Sequence, residues 1–461
     1  MRKLALAFAL VAAVPVSASA AELVAATRIS SDARDSRNET LGGIGSGMAL
    51  VPGSWAKSGN GYGARLAMLP DRGWNTEGTS DYRARLQMFD VVLTPKLGDG
   101  HEDGLVLTYR KTLLLSDADG KPTTGLDPAA ARAAKGVMPE LPVAANGRVS
   151  MDSEAVAVLP GGGAWVCDEY GPYIYRFDKG GRMTGAIRPP DAFIPVLQGK
   201  ESFSANSPPH GEHYDLGNPE SGRQDNQGLE GMGLTPDGKY LFAVNQSALV
   251  QDLDPAAVKT SRRHVRLLQY DLSGRAPRLV HEYVIALPLY DGNLVAAQSE
   301  LLVLDDHRLL LLCRDSGGGF TGKRDASRFR SVMMVNLEGA TDIAGRFDGR
   351  GDSVAPKGVL RPDIVSAGLT TVLDMNDNAQ LSRFGLHNGA PNDSRDLYEK
   401  WESMALAPAL DPKAPDDFFL FVGSDNDFIT QHGMMAGKPY ADGSGANVDS
   451  LILVYRVTLG R

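Results

Sequence analysis

One order of polar and apolar positions recurs along this chain. Its clearest copy runs Asp152-Ser153-Glu154-Ala155, an apolar stretch over 156–159, the turn Gly161-Gly162-Gly163, a second apolar stretch over 164–167, and then Asp168-Glu169-Tyr170-Gly171-Pro172. Another begins Asn226-Gln227-Gly228-Leu229-Glu230, turns at Pro236-Asp237-Gly238 and ends Asn245-Gln246. A third begins Ser299-Glu300, turns at Asp305-Asp306-His307 and ends Arg314-Asp315-Ser316. A fourth begins Trp401-Glu402 and ends Ser424-Asp425-Asn426-Asp427. A degenerate copy precedes them all, from Gly42-Gly43 through apolar runs at 47–51 and 65–69 to Asp71-Arg72-Gly73.

Two apolar runs joined by a Gly or Asp-Gly turn predict an antiparallel hairpin. The start of its first strand and the end of its second lie at one end, so each glutamate and the later polar cluster share an edge. Further short strands are expected at 173–177, 266–270, 331–335 and 451–457, and the stretches 85–94 and 105–115 alternate as strands do. Four short strands per unit predict an all-β fold, a β-propeller, in which radial repetition protects the sheet edges. Successive glutamates stand 76, 70 and 102 residues apart, against about 40–50 for a plain blade, so long inserted loops are required.

Five copies plus spare length predict six blades, each with its first strand innermost and its carboxylate at the channel mouth. Residues 41–461 then form a single propeller domain and 21–40 an irregular lead-in. Residues 198–225 form a loop over the glutamate edge. Residues 338–398 are either a weak blade or an insertion. The last strand, 451–457, is expected to pair with the first blade and close the ring. Unrelated strands that each begin with a polar residue would explain one copy, but they explain four glutamates in register poorly.

The N-terminus changes the picture of where the protein works. Met1-Arg2-Lys3, an apolar stretch over 4–16 and the small residues Ala18 and Ala20 form a secretory signal peptide over residues 1–20. The apolar stretch falls short of the roughly 20 residues that span a bilayer. The expected location is a bacterial periplasm or the cell exterior. Loss of Arg2 and Lys3 takes the formal charge from −9 to −11, which argues against nucleic acid and anionic membrane as partners. Cys167 and Cys313 both end a second strand, in non-adjacent units. They are expected to be buried free thiols despite an oxidising address.

Familiar catalytic signatures are missing. Gly43-Ile44-Gly45-Ser46-Gly47 has the wrong spacing for a nucleophile elbow. Gln431-His432-Gly433 lacks the arginine that would make it a phosphohistidine signature, and His210 and His213 read as solvent-facing loop histidines. What remains is oxygen chemistry. Glu154, Glu230, Glu300 and Glu402, with Asp152, Asp168, Glu169, Asn226, Asn245, Asp315 and Asp425 nearby, would raise one another's pKa if left as clustered anions. Protons or cations must compensate, and carboxylate, amide and carbonyl oxygens suit a hard cation such as Ca²⁺. The lack of clustered His and Cys argues against zinc. Arg72 and Arg314, on the same edge, are placed to grip an anion. Any one acid alone reads more readily as a strand cap paired with an arginine; the set together favours a site.

The phrases Asp152-Ser153-Glu154-Ala155, Asp168-Glu169-Tyr170-Gly171-Pro172, Asn226-Gln227-Gly228-Leu229-Glu230-Gly231, Ser299-Glu300-Leu301 and Trp401-Glu402 resemble the phytase-like family, "esterase-like activity of phytase", of exported bacterial proteins. The resemblance implies a propeller and an activity on phosphate or other esters. A more distant similarity to calcium-dependent propeller phosphatases and lactonases implies metals at the channel mouth. On this reading Glu154, Glu230, Glu300 and Glu402 are Ca²⁺ ligands, with Asn245 and Asp425 completing the shell. Asp168, Glu169 and Asp315 orient water, and Arg72 and Arg314 bind a small anionic ester. Carboxylester or lactone hydrolysis at the same metal stays open, as does a binding propeller with structural calcium and no turnover.

Overall fold

A computed structural model describes residues 21–97, 104–319 and 326–460; the signal-peptide segment lies outside them. Five antiparallel sheets are arranged around an axis, four of them four-stranded and one, blade I, carrying the extra short strand Ala56–Ser58. Blade I runs outward from Gly47–Leu50 through Gly61–Leu69 and Arg85–Leu93 to Leu105–Leu114. Blade II takes Ser153–Val158, Ala164–Asp168, Ile174–Phe177 and Met183–Ile187. Blade III takes Leu229–Leu234, Tyr240–Asn245, His264–Asp271 and Arg278–Ala286. Blade IV takes Ala297–Val303, Arg308–Arg314, Arg330–Asn336 and Gly368–Asp374. Blade V takes Trp401–Pro408, Asp417–Ser424, Ser450–Thr458 and, outermost, Glu22–Ile29.

Five blades replace the expected six, and the cores show why no sixth fits. Each seam between neighbouring blades holds one apolar cluster. Leu66, Phe89 and Ala405 with Phe421 seal blade V to blade I. Leu69 with Val166 and Tyr175 seals I to II. Cys167 with Met232 and Leu241 seals II to III, and Phe242 with Leu309 and Leu311 seals III to IV. Leu310 and Leu312 with Met404 and Leu453 close IV to V. Strands covered on both faces need continuous rather than alternating apolar runs, which is what Leu309–Leu312, all fully buried, provide.

The spare length goes into insertions. Residues 337–367 wrap the outside of blade III, where Ile343, Val354 and Ile364 cover Val284. The stretch 338–398 is therefore no blade; it wraps blade III and supplies the outer strand Gly368–Asp374 of blade IV. Residues 194–228 run as a long loop seated by Arg223, whose guanidinium donates to the carbonyls of Tyr170 and Phe203 at 2.7–3.0 Å.

The ring closes differently from expectation. The C-terminal strand is the third strand of blade V, not a partner of blade I, and the N-terminal segment, expected to be irregular, opens with the strand that completes that blade. Its register runs from Glu22 opposite Arg456 to Ile29 opposite Ser450. Cys167 and Cys313 are free thiols with no exposed surface. No helix among the described residues is long and apolar enough to cross a membrane.

One buried acid belongs to stability alone. Glu282, on the outer strand of blade III, lies 3.6 Å from Arg266, and burial pushes its carboxyl up to about 8. The folded protein holds this proton more tightly than the unfolded chain, whose ordinary value is 4.5. Its contribution to stability is therefore full below about pH 4.5 and is lost as pH rises through about 8. Glu282→Gln is expected to flatten that decline and to melt above the parent at pH 9, by on the order of a few kcal/mol in stability. Thermal unfolding from pH 5 to 9 checks it; parallel curves for the two proteins would remove Glu282 as the cause.

Candidate functional site

A repeated β-bulge builds the mouth. In blade III the ladder pairs Leu229 with Asn245 and then Gly231 with Val244, so Glu230 has no partner and is extruded. In blade V Trp401 pairs with Ser424 and Ser403 with Gly423, extruding Glu402. In blade II the shift falls between Ser153 and Val156, at Glu154 and Ala155. A bulge bends its strand and re-aims a side chain, and here Glu154, Glu230 and Glu402 line one cavity of about 160 Å³.

Blade IV has the same bulge, but the extruded residue is Ser299, because Gln298 pairs with Cys313 and Glu300 with Leu312. Glu300 therefore stands one residue out of register with the other glutamates. It lies deeper, at the edge of a separate apolar bowl of about 710 Å³ lined by the far halves of the innermost strands. Its carboxylate accepts the Leu301 amide at 2.7 Å. Burial raises its pKa well above the ordinary value, opposed by the backbone amides of Leu301, Met232 and Met404.

The residue after each second strand's last bulge pair forms a second tier: Glu169, Gln246, Arg314 and Asp425. Where blade IV puts serine in place of the glutamate, it also puts Arg314 in place of an acid, and Arg314 forms an ion pair with Glu402 of the next blade. Gly228 lets the loop before blade III cross this tier closely. A Cβ there would sit 2.4 Å from the Glu169 carbonyl oxygen, and its amide donates to the Glu169 carboxylate at 3.1 Å.

The cavity lining holds six carboxyls, from Asp71, Asp152, Glu154, Glu169, Glu230 and Glu402, against three cations, from Arg72, Arg314 and Lys400. Burial, and then Glu230, Asp152, Glu169 and Glu402, push Glu154 well up. Burial and then Glu169 and Glu402 do the same to Glu230. Glu169 is pushed up to about 7 by burial and Asp152. Asp152, Glu154 and Glu169 each bring one oxygen within 4.8 Å of the others, and so do Asp71, Asp425 and Asp427. Arg72 pairs with Asp152 at 2.9 Å. Gln246 donates to one Glu230 oxygen at 2.8 Å, and the Glu230 and Glu169 carboxyls hydrogen-bond to each other. The buried Asn226 Oδ1 has no hydrogen-bond partner.

Three other expected site residues, Asp168, Asn245 and Asp315, do not line the cavity. Asp168 accepts the amides of Asp152, Tyr170 and Gly171 at 2.7–3.4 Å and organises the turn. Asn245 accepts the Arg266 amide at 2.9 Å and donates to the Ser247 carbonyl. Asp315 accepts from Gly317, the Ser327 hydroxyl and Arg328, and so holds a loop. Asp425 lies at the mouth, its carboxylate 2.9 Å from the Lys400 ammonium. Sequence reasoning passed over Asp71, Asp427, Gln246 and Lys400 as site residues. The first three sat inside the recurring polar clusters; Lys400 carried no signal beyond preceding Trp401-Glu402.

Comparisons with known proteins agree with the phrases that carry the resemblance. The family model described as "Phytase-like: Esterase-like activity of phytase" matches residues 43–428. An "Uncharacterized secreted protein" of the fungus Arthroderma benhamiae is 38% identical over 450 residues, covering 89% of this chain and 87% of that one. The relative is fungal, so the likeness is not confined to bacteria. A luciferin-regenerating enzyme overlaps with a TM-score of 0.29 at 10% identity, covering 91% of this chain and 93% of that one. A protein from Lactobacillus plantarum overlaps at 0.31 and 10%, covering 92% and 86%. Overlaps at that level carry no argument. Taken together, the family match and the secreted relative place the chain in the phytase-like, "esterase-like activity of phytase" family.

Proposed function

We propose that the protein is an exported hydrolase of phosphate esters whose channel mouth holds a divalent cation, Ca²⁺ by its oxygen-only donors. The observation that carries this reading is the excess of buried carboxyls over cations around a cavity also lined by Asn226, whose Oδ1 is unpartnered. An anionic substrate would be repelled from such a cavity unless a cation or protons compensate. Asp152, Glu154, Glu169 and Glu230 fit a hard cation, being carboxylates grouped on one side of the mouth. A cation bound there would polarise a phosphoryl oxygen and favour ionisation of water. Arg72 and Arg314 line the cavity, and a guanidinium there suits a phosphoryl oxygen. The signal peptide and the secreted relative support an extracytoplasmic address.

Two other readings keep their footing. Carboxylester or lactone hydrolysis uses the same cation and needs no arginine. A binding propeller without turnover draws on the ion pairs that already engage Arg72 with Asp152 and Arg314 with Glu402.

The test is metal content of the purified protein by elemental analysis, with nitrophenyl phosphate and nitrophenyl acetate hydrolysis followed with and without chelator. Chelator-sensitive phosphate release, lost in Arg314→Ala, is expected. Acetate release that survives Arg314→Ala would move the assignment to carboxylic esters. Bound calcium with neither ester turned over would favour the binding propeller. Absence of metal from protein purified in calcium would overturn the cation.

A further inference from the structure

The two carboxylate triads at the mouth are not equivalent. The first, Asp152, Glu154 and Glu169, shares its cavity with Glu230 and with Asn226, whose buried Oδ1 has no hydrogen-bond partner. Arg72 engages Asp152 and the Gly228 amide engages Glu169 in that triad; in the second, all three carboxylates accept hydrogen bonds. Asp71 accepts the Gly73 amide at 3.1 Å and the Asn75 side-chain amide at 2.9 Å. Asp425 accepts the Asp427 amide at 2.9 Å, and Asp427 accepts the Tyr398 hydroxyl at 3.1 Å.

Into this second triad reaches Lys400. Its ammonium lies 2.6 Å from Asp427, 2.9 Å from Asp425 and 3.5 Å from Glu402. An ammonium has three N–H donors and no acceptor, so three carboxylates use it fully. Its backbone is anchored at the start of blade V. The Lys400 carbonyl accepts the Asp425 amide at 2.8 Å, and the next residue, Trp401, begins the innermost strand of blade V with its indole N–H on the Tyr398 carbonyl at 2.7 Å.

We propose that Lys400 is a built-in cation occupying the second of two cation positions, so that the mouth takes one divalent ion rather than two. The inference rests on the reading of the first triad as a cation site. It gives Lys400 a positioning role. The ammonium holds Asp425 and Asp427 in place and keeps Glu402 available to Arg314, while the exchangeable ion sits on the side of Asp152 and Glu230.

The experiment is calorimetric titration of metal-stripped protein with Ca²⁺ alone. Wild type is expected to bind one equivalent and Lys400→Met two. Asp427→Asn on the wild-type background should still bind one, because it removes an acid that the lysine already neutralises. Lys400→Met/Asp427→Asn should return from two to one. A readout beyond stoichiometry is thermal unfolding, in which chelator should lower the melting temperature of Lys400→Met far more than that of wild type. A wild type that binds two ions and loses one in Asp427→Asn would overturn the proposal and leave the cation reading standing. One equivalent in wild type and a folded Lys400→Met that still binds one would do the same. No binding by wild type and one equivalent in Lys400→Met would sustain the role of Lys400 and sink the first-triad site. If Lys400→Met folds only with Ca²⁺ present, that dependence supports the proposal; misfolding that Ca²⁺ does not relieve, with wild-type behaviour in Lys400→Arg and one equivalent in Asp427→Asn, points the same way.

Discussion

Glu230→Gln is expected to lose ester turnover by on the order of 100-fold or more while its melting temperature holds or rises. The two observables part because Glu230 serves the site at a cost to the fold. Its carboxyl is buried beside Glu169 and Glu402, and burial with that repulsion holds its pKa well up. Glutamine keeps the shape and can still accept from Gln246, which donates to Glu230 at 2.8 Å. It removes the charge that would complete a cation shell and also the charge that Glu169 opposes. Turnover of both nitrophenyl esters and a melting curve, with and without Ca²⁺, read the two effects. Parent-like turnover would take Glu230 out of the site. A fall in both turnover and melting temperature would make it a structural residue, and Glu154→Gln would then show whether the first triad acts at all.

Removal of residues 21–29 is expected to unlatch the ring. Leu23, Val24 and Ala25 have no exposed surface and sit in the seams on both sides of blade V. Each such side chain contributes about 1–3 kcal/mol by burial, and their sum approaches the roughly 5–15 kcal/mol that holds a whole domain together. Losing the strand also bares the backbone edge of Ser450–Thr458, an invitation to pair with other chains. The shortened protein should elute as aggregate or expanded monomer and melt many degrees lower. A synthetic peptide spanning 21–30 should restore part of the difference. Unchanged melting would mean that blade V is self-sufficient with three strands.

The recurring phrase in the sequence exposed the hairpins, the innermost position of each first strand and the edge where the polar residues gather, because hydrophobic period and turn chemistry are local. Blade number was not local. The wrap around blade III contains apolar residues such as Ile343 and Ile364 that mimic strand spacing yet cover Val284 from outside. Pairing of Glu22–Ile29 with a strand more than 400 residues later left no trace near either segment. The register of Glu300 was misplaced for a subtler reason. A bulge adds one residue without changing the apolar pattern, so Ser299 and Glu300 competed for one position, and alignment by residue type chose the glutamate. Lys400 was hidden because its partners Asp425 and Asp427 come from the other strand of the hairpin and the loop beyond it.

Glu300, set aside from the mouth by that one-residue offset, has a consequence for traffic. The mouth cavity and the apolar bowl share no lining residue, and between them stands a carboxylate bound by the Leu301 amide and facing the backbones of Met232 and Met404 from the neighbouring blades. A buried carboxylate at the edge of the bowl is expected to hinder passage along the propeller axis. On the proposed ester hydrolysis, a product anion would leave past Arg72, Arg314 and Lys400, which line the mouth, and turnover is expected to rise with salt as those contacts are screened.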